Sequence, residues 1–329
     1  MYDKTSDADT TYLNGVRFRG FNQMKVHFIM AALFAGWGAG VVVLSHVNLL
    51  LIGWLIKLVS PGTKLILLAH GIEVWGPLAF HKKRMLASCD EIWTVSQFTK
   101  DKLLEQLGYA GPVISVLNNC LDPFLPEPVL NETKIRQIQQ QHGIQPDQPV
   151  LLTLTRMSAK ELYKGYDHVL ESIPALTRDF PGLRYMLVGK YDAQEKERLD
   201  RLIDQLNIRN QVIFTGYVPD EDLSAYYHMA TCFVMPSKKE GFGIAFIEAM
   251  YYGLPVIAGN KDGSVDALLQ GRLGVLVDPD RQQAIEDGIR NVLNNPAPFK
   301  PDHQILMAHF GFDYYQEQVA RLLQKHKRS

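Results

Sequence analysis

The segment CFVMPSKKEGFGIAFIEAMYYGLPVIAG, residues 232–259, contains the pattern that decides the fold. The apolar run CFVMP predicts a strand ending near Ser237, and IAFIEAMYY predicts the helix that follows it. Gly253 and Pro255 end that helix before a second strand, PVIAG. The resulting order of strand, loop, helix and strand places the loop KKEGFG at the carboxyl end of a parallel strand. Open α/β sheets bind their ligands on that side.

The same alternation extends along most of the chain. Short aliphatic runs that predict strands are VVVLSHV, TKLILLAH, EIWTVS, PVISVL, PVLLTLT, RYMLVG, QVIFTG, CFVMP, PVIAG and GVLVD. Helix-like segments separate them, which predicts parallel sheets covered by helices. Residues 121–148 interrupt the rhythm with prolines and a glutamine-rich segment. We therefore expect one domain over residues 1–130 and another over 145–300, with a C-terminal helix over 305–329 packing back on the first.

Composition excludes several classes of protein. The 329 residues include 34 basic and 35 acidic side chains, so no net field recruits nucleic acid. The three cysteines are widely spaced, as expected for reduced thiols in a cytoplasmic protein. The N-terminal residues lack the order of a secretory signal. Residues 41–59 approach the length of a membrane span, but His46 and Asn48 interrupt them, which favours a buried strand followed by a helix.

The glycine turn within the opening segment has the features of a ligand site. Gly241 and Gly243 let backbone amides at the helix start approach an anion. Glu240 precedes the helix and Glu248 lies about two turns beyond it. Carboxylates accept hydrogen bonds from hydroxyls and amides donate to phosphate, so the combination fits a sugar nucleotide. The alternative is an acid that favours the helix dipole together with a solvated helix acid.

A second group of residues follows the predicted strand PVLLTLT. In TRMSAKELYKG, residues 155–165, Arg156 ends the strand and Lys164 begins the next helix. Both cations are expected to face the crevice at the strand ends. A departing diphosphate gains charge, and fixed cations stabilise it when no metal is present. Either residue taken singly also fits an ordinary surface cation.

Together these motifs resemble the retaining glycosyltransferases of family 4, which have the two-domain GT-B fold. EGFGIAFIE is similar to their E-x7-E motif, and TRMSAKELYKG to their Arg and Lys-Gly signature. The flanking segments VPDEDLSAYYHMATCFVMPS and GNKDGSVDALLQGRLGVLVDPD also resemble the family. The resemblance runs from about residue 40 to residue 300. LAHGIEVW, WTVSQFTKDKL and VLNNCLDP match its weaker landmarks in the first half.

The resemblance implies a role for each matched residue. It implies that Arg156 and Lys164 bind the donor diphosphate and that Glu248 binds the nucleotide ribose. Glu240 and His70 would hold the transferred sugar from opposite sides of the cleft. The residues of the turn itself would present backbone amides to the donor: Gly241, Phe242, Gly243 and Ile244.

The chain departs from the family at its start, where the usual first strand, glycine-rich loop and helix have no counterpart. We therefore expect two Rossmann-like domains of the GT-B type, the first lacking that unit. Asp220 and Asp222, and likewise Asp278 and Asp280, form Asp-x-Asp strings, but both precede predicted helices and we expect no metal. No cofactor is expected beyond the donor, a UDP-, GDP- or ADP-sugar.

The leading hypothesis is metal-independent sugar transfer, with retention, from a nucleotide sugar to a glycan or lipid-linked acceptor in polysaccharide or glycolipid synthesis. The alternatives are an epimerase or phosphorylase on the same scaffold, and a non-catalytic partner that binds nucleotide sugar. A basic cluster at residues 81–84, with Trp54 and Trp75, suggests peripheral contact with an anionic bilayer. The expected location is the cytoplasm, including the inner face of the cell membrane.

Overall fold

A computed structural model describes residues 3–13, 16–108 and 111–326. The first sheet has four parallel strands in the order β1-β2-β3-β4. Their bounds are Val41–Leu44, Lys64–Ala69, Glu91–Thr94 and Val113–Val116. Since the strands follow one another in space as in sequence, each connection crosses over the sheet through helical structure. The carboxyl ends of all four strands therefore lie along one edge.

Five helices belong to this first unit: α1 (Lys25–Gly36), α2 (Leu50–Val59), α3 (Ile72–Trp75), α4 (Phe80–Leu86) and α5 (Gln97–Leu107). Helix α5 begins where Ser96 accepts a hydrogen bond from the amide of Thr99, at 3.1 Å. The core of the unit contains fully buried side chains from β2 and β3, among them Leu65, Leu67 and Ile92.

The second sheet has six parallel strands in the order β10-β9-β8-β5-β6-β7. In chain order, β5 to β10 are Val150–Leu154, Arg184–Val188, Val212–Gly216, Cys232–Met235, Val256–Gly259 and Val275–Val277. The strand order reverses between β5 and β8, which are neighbours in space. A crevice opens at the carboxyl ends of the strands at such a reversal. The segments after β5 and β8 contain Arg156 and the glycine turn, so both predicted site segments border this crevice.

Helices cover both faces of this sheet. They are α6 (Glu132–His142), α7 (Tyr166–Asp179), α8 (Ala193–Gln205), α9 (Asp220–Met229), α10 (Ile244–Tyr251), α11 (Ser264–Ala267) and α12 (Gln282–Asn294). Two hydrophobic clusters, one on each face, account for most of the buried side chains of the unit. The two-sided burial explains why the strand sequences are almost continuously apolar.

The chain then returns to the first unit through α13 (His303–Phe310) and α14 (Phe312–Gln324), which are separated by Gly311. Leu322 of α14 packs with Ile66 and Trp93 of the first sheet. The Leu121 amide, in the connection between the sheets, donates to the Phe310 carbonyl at 2.8 Å. Part of the helix predicted over 305–329 lies outside the described residues, namely residues 327–329. The same holds for three short stretches of the predicted first domain, residues 1–2, 14–15 and 109–110.

The prediction of two parallel α/β units is confirmed, and each of the ten predicted strands is present. The apolar run at residues 41–59 forms β1 and α2, as its interruption by His46 and Asn48 predicted. In the part of the chain that the structure describes, no helix combines the length and apolar character needed to cross a bilayer.

Candidate active site

A part-buried ion pair joins the segments that follow β5 and β8. The Nζ atom of Lys164 contacts the carboxylate of Glu240, and their side chains are only 18% and 13% exposed. Lys164 precedes α7, and Gly165, with φ of +77°, turns the backbone past the Pro236 carbonyl. A β-carbon at this glycine would lie 2.4 Å from that oxygen. The glycine therefore allows the close backbone approach that brings Lys164 to the glycine turn after β8.

Glu240 is held in place by a second acid that the sequence analysis did not assign. Asp262 is fully buried, and its Oδ2 accepts hydrogen bonds from the Glu240 amide at 2.7 Å and from Ser237 Oγ at 2.5 Å. Its Oδ1 accepts from the Ser264 amide at 2.9 Å. The segment NKDGS after PVIAG was the available signal, because it also follows a strand in this sheet. Asp262 therefore links the ends of β8 and β9.

Burial sets the protonation behaviour of both acids. It raises the pKa of Glu240, and the nearby Lys164 ammonium only partly opposes the effect. It also raises the pKa of Asp262, although the three hydrogen bonds to its carboxylate favour the charged form. Two buried acids beside one buried cation make the site sensitive to loss of that cation.

Gly241 is one of the points at which the two units meet. A β-carbon at Gly241 would lie 1.8 Å from the His70 carbonyl oxygen, and one at Gly71 would lie 2.7 Å from the Gly241 Cα. Gly71 has φ of +134°, a conformation that favours glycine. The loop after β2 thus packs backbone to backbone against the turn after β8. The structure brings His70 and Glu240 to the same contact between the units.

The His70 side chain is oriented by the end of β1. Its Nε2 lies 2.7 Å from the Ser45 carbonyl oxygen, which can only accept, so Nε2 donates the proton of this bond. In the neutral ring, Nδ1 is then left as an acceptor. The His46 ring stacks at 6.4 Å from that of His70. His46 was not assigned from sequence, although the run LSHV places it at a strand end in the same way.

Arg156 is paired with an acid of its own connection, and the expectation that it faces the glycine turn stays a prediction. Its guanidinium forms a two-fold hydrogen-bonded pair with Glu161, and its side chain is 70% exposed. Glu161 lies five residues along the same connection. This pairing raises the pKa of Arg156, so it stays charged. Of the predicted cations, only Lys164 contacts Glu240 in the described structure.

Arg156 instead borders a neighbouring cavity of about 610 Å³. The described residues that line it are Ile72, Arg156, Met157, Ser158, Lys160, Glu161, Tyr163, Lys190, Tyr191 and Asp192. Residues 241–243 are not in that lining. Tyr163 connects the two regions, because it lines the cavity and directly precedes Lys164, while its carbonyl accepts from the Lys238 amide at 2.9 Å.

Glu248 lies on α10 beneath the crevice. Burial raises its pKa to about 7, while a hydrogen bond from the Tyr227 hydroxyl at 3.3 Å opposes the effect. The charges of Asp220 and Asp122 raise it further. The carboxyl therefore changes its protonation state near neutral pH, and its ionised form accepts hydrogen bonds from hydroxyl groups.

The remaining predicted residues contribute backbone more than side chain. Phe242 is buried, and its ring packs edge-on against Phe310 at 5.4 Å. Gly243, with φ of +93°, precedes the first helical residue, Ile244. The first amides of a helix have no partner within it, so the start of α10 can donate to an anion.

The two Asp-x-Asp strings pair with lysines. Asp222 contacts Lys134 at 2.7 Å. Asp278 and Asp280 each contact Lys261 at 2.6 Å. Within residues 3–13, 16–108 and 111–326, no cluster of three or more histidine, cysteine or acidic side chains is arranged to bind a metal.

Comparison with known proteins places this geometry in a family. The sequence profile described as glycosyl transferases group 1 matches residues 134–306, which include Arg156, Lys164, Glu240 and Glu248. The chain belongs to the glycosyl transferases group 1 family. This group 1 chain is 28% identical over 245 residues to the GDP-mannose-dependent alpha-(1-6)-phosphatidylinositol monomannoside mannosyltransferase of Mycolicibacterium smegmatis. The match covers 71% of this chain and 62% of that enzyme.

One further relative and one solved structure are informative. The mannosylfructose-phosphate synthase of Agrobacterium fabrum is 30% identical over 205 residues, which cover 60% of this chain and 44% of the relative. The crystal structure of Anabaena Alr3699/HepE in complex with UDP and glucose superposes with a TM-score of 0.76 at 18% identity. It matches 91% of this chain and 82% of that structure, which confirms the predicted GT-B fold.

Proposed function

We propose that this protein transfers a sugar from a nucleotide-diphosphate sugar to a glycan or lipid-linked acceptor, with retention and without a metal. The observation that carries the proposal is the buried pair of Lys164 and Glu240, next to a glycine turn that contacts His70 of the other unit. Such a site offers a cation, a carboxylate and helix-start amides at one point between two domains. A donor with a diphosphate and a hydroxylated ring needs these three partners.

Each residue then has a defined task. Lys164 and the first amides of α10 stabilise the negative charge that grows on the departing diphosphate. Glu240 accepts hydrogen bonds from sugar hydroxyls, and its charge favours the cationic character of the ring. His70 approaches the sugar from the first unit, with its Nε2 proton already committed to Ser45. The leaving phosphate itself removes the acceptor proton.

Arg156 can bind the donor diphosphate only when its ion pair with Glu161 is broken. A diphosphate offers the guanidinium the same two-fold geometry as a carboxylate, with more charge. The exposed pair with Glu161 is weak, worth about 0.2–1 kcal/mol, so a bound diphosphate readily replaces it. Donor binding therefore exchanges one partner of Arg156 for another.

The relatives guide the choice of donor. The mycobacterial relative is described as dependent on GDP-mannose, and the Agrobacterium relative is a mannosyl-transferring synthase by its description. We therefore propose mannose from GDP-mannose as the first donor to test, with UDP- and ADP-glucose as comparisons. A phosphorylated or lipid-linked acceptor is consistent with both descriptions.

Calorimetric titration with the three donors, followed by transfer assays with NMR of the product anomer, tests the proposal. Lys164→Ala should lower turnover by about 100-fold or more, as for other charge-stabilising groups. Arg136→Ala, which removes an exposed cation of α6, is the matched control. An epimerised donor without acceptor, or sugar phosphate formed with inorganic phosphate, would favour the other enzyme classes. Tight donor binding with neither transfer nor hydrolysis would favour the non-catalytic partner.

A further inference from the structure

Helix α1 exposes a stripe of large apolar side chains. Val26, Met30, Phe34 and Trp37 are 71%, 63%, 81% and 71% exposed. Their spacing of four, four and three residues places them on one side of the helix. The opposite side packs on α2, where a β-carbon at Gly36 would lie 2.8 Å from Ile56. The helix therefore contacts the rest of the unit through its other side, where Gly36 is buried, and leaves the stripe uncovered.

The exposed apolar surface continues across α2 to α4, since α2 packs against both helices. Leu51 and Leu58, two turns apart on α2, are 51% and 59% exposed, and Phe80 at the start of α4 is 81% exposed. Between α2 and α4 lies a groove of about 710 Å³ that is lined by Leu51, Trp54 and Met85 together with basic side chains of α4. We call this continuous surface of α1, α2 and α4 the apolar face.

The charges around the apolar face have one sign. No aspartate or glutamate occurs between Asp9 and Glu73, a span that includes all of α1 and α2. Lys25 begins α1, and α4 contributes His81, Lys82 and Arg84 to the groove. Among the ion pairs of the described residues, none involves Lys25, Lys82 or Arg84. The apolar side chains are thus flanked by basic groups whose charge is not neutralised locally.

We propose that the apolar face docks the protein on an anionic lipid bilayer, with the stripe of α1 in the interface and the cations of α4 against the headgroups. Apolar residues beside unpaired cations are the combination that such interfaces bind. A second copy of the chain is a poorer occupant, because a symmetric contact would bring the same cations together. At 12 residues, α1 is about 18 Å long, which suits a helix lying on a bilayer and not crossing it.

Vesicle flotation of the full chain tests the proposal without reference to transferase activity. The wild type should float with vesicles of 30% phosphatidylglycerol in phosphatidylcholine, and much less with phosphatidylcholine alone. Lys82→Gln combined with Arg84→Gln should lower the partition coefficient by about 25-fold, at about fivefold for each cation. Val26→Ser combined with Phe34→Ser should lower it by about tenfold or more. Trp37 fluorescence should shift to the blue on binding.

Matched controls come from the connection between the sheets and from α6. Val129 is 67% exposed and Arg136 has a 77% exposed side chain, so Val129→Ser and Arg136→Gln remove the same kinds of group elsewhere. Thermal denaturation of each variant separates lost binding from lost folding. The proposal is overturned by equal partitioning onto neutral and anionic vesicles, or by equal losses in the controls. It is also overturned if light scattering shows a dimer that Val26→Ser with Phe34→Ser dissociates.

Discussion

Replacing Lys164 by methionine should destabilise the protein in a way that depends on pH. The substitution leaves the Glu240 carboxylate buried, with an exposed fraction of 13%, beside the Asp262 carboxylate and without its cation. Glu240 already has a raised pKa through burial, and loss of the ammonium raises it further. Because the charged form is then strongly disfavoured, the carboxyl avoids the cost of ionisation by staying protonated in the folded state.

The size of the effect follows from proton linkage. An unfolded glutamate has a pKa of about 4.3, so keeping the folded carboxyl protonated at pH 7 costs about 2.7 pH units, or roughly 3.7 kcal/mol. When the pKa of an acid is higher in the folded state than in the unfolded state, the protein becomes less stable as the pH rises above the unfolded-state pKa. The penalty for Lys164→Met should therefore be small near pH 4.5 and grow with pH towards an upper limit of about 3–4 kcal/mol at pH 7, part of which the wild type already bears because its own Glu240 pKa is raised.

Urea denaturation at pH 5, 6, 7 and 8, followed by circular dichroism, measures this penalty. Adding Glu240→Gln to Lys164→Met should restore most of the lost stability, since no buried charge then remains unpaired. It should not restore turnover if both residues act on the donor. Arg136→Met removes one member of an exposed pair with Glu132 and should cost less than about 0.5 kcal/mol at every pH. A penalty below about 1 kcal/mol at pH 8, or one independent of pH, refutes the reasoning.

Three further outcomes are expected. Gly241→Ala should cost about 1–3 kcal/mol in thermal denaturation because its β-carbon overlaps the His70 carbonyl, whereas Gly40→Ala, with no heavy atom within 4 Å, should be nearly neutral. Donor affinity measured by calorimetry should rise between pH 6 and pH 8, because ribose hydroxyls donate better to ionised Glu248, whose pKa is about 7. The Glu248→Gln variant should bind the donor equally well across this range. A wild-type affinity that does not change with pH would contradict the prediction. Burial alone would raise the pKa of Glu91, but hydrogen bonds from Ser115 and His326 outweigh it and lower the pKa, so its stabilisation is lost as the pH falls through that lowered value. The protection factors of amides in residues 312–324, which are exchange rates corrected for the intrinsic rate at each pH, should accordingly fall in acid, and Glu91→Gln should lower them at neutral pH.

The local sequence determined the secondary structure and the fold class. Short apolar strands alternate with amphipathic helices, and that alternation fixes a parallel sheet because parallel strands need crossover connections. The glycine turn at residues 241–243 and the Lys-Gly step at residues 164–165 were recognisable because glycine marks positions where backbone must approach closely. Their position after strands β5 and β8 then placed them at one edge of one sheet.

Only the tertiary structure decided which side chains meet. Asp262 lies 22 residues after Glu240 in sequence, yet it fixes the Glu240 loop through a hydrogen bond to its amide at 2.7 Å. Glu161 competes for Arg156, and no spacing rule distinguishes a partner acid from a solvated one. The exposed stripe of α1 could also not be predicted from sequence. The helix is apolar on most sides, so its sequence does not show which side packs against the protein and which is exposed. Pairing and burial depend on neighbours distant in sequence, and those neighbours exist only once the sheets have assembled.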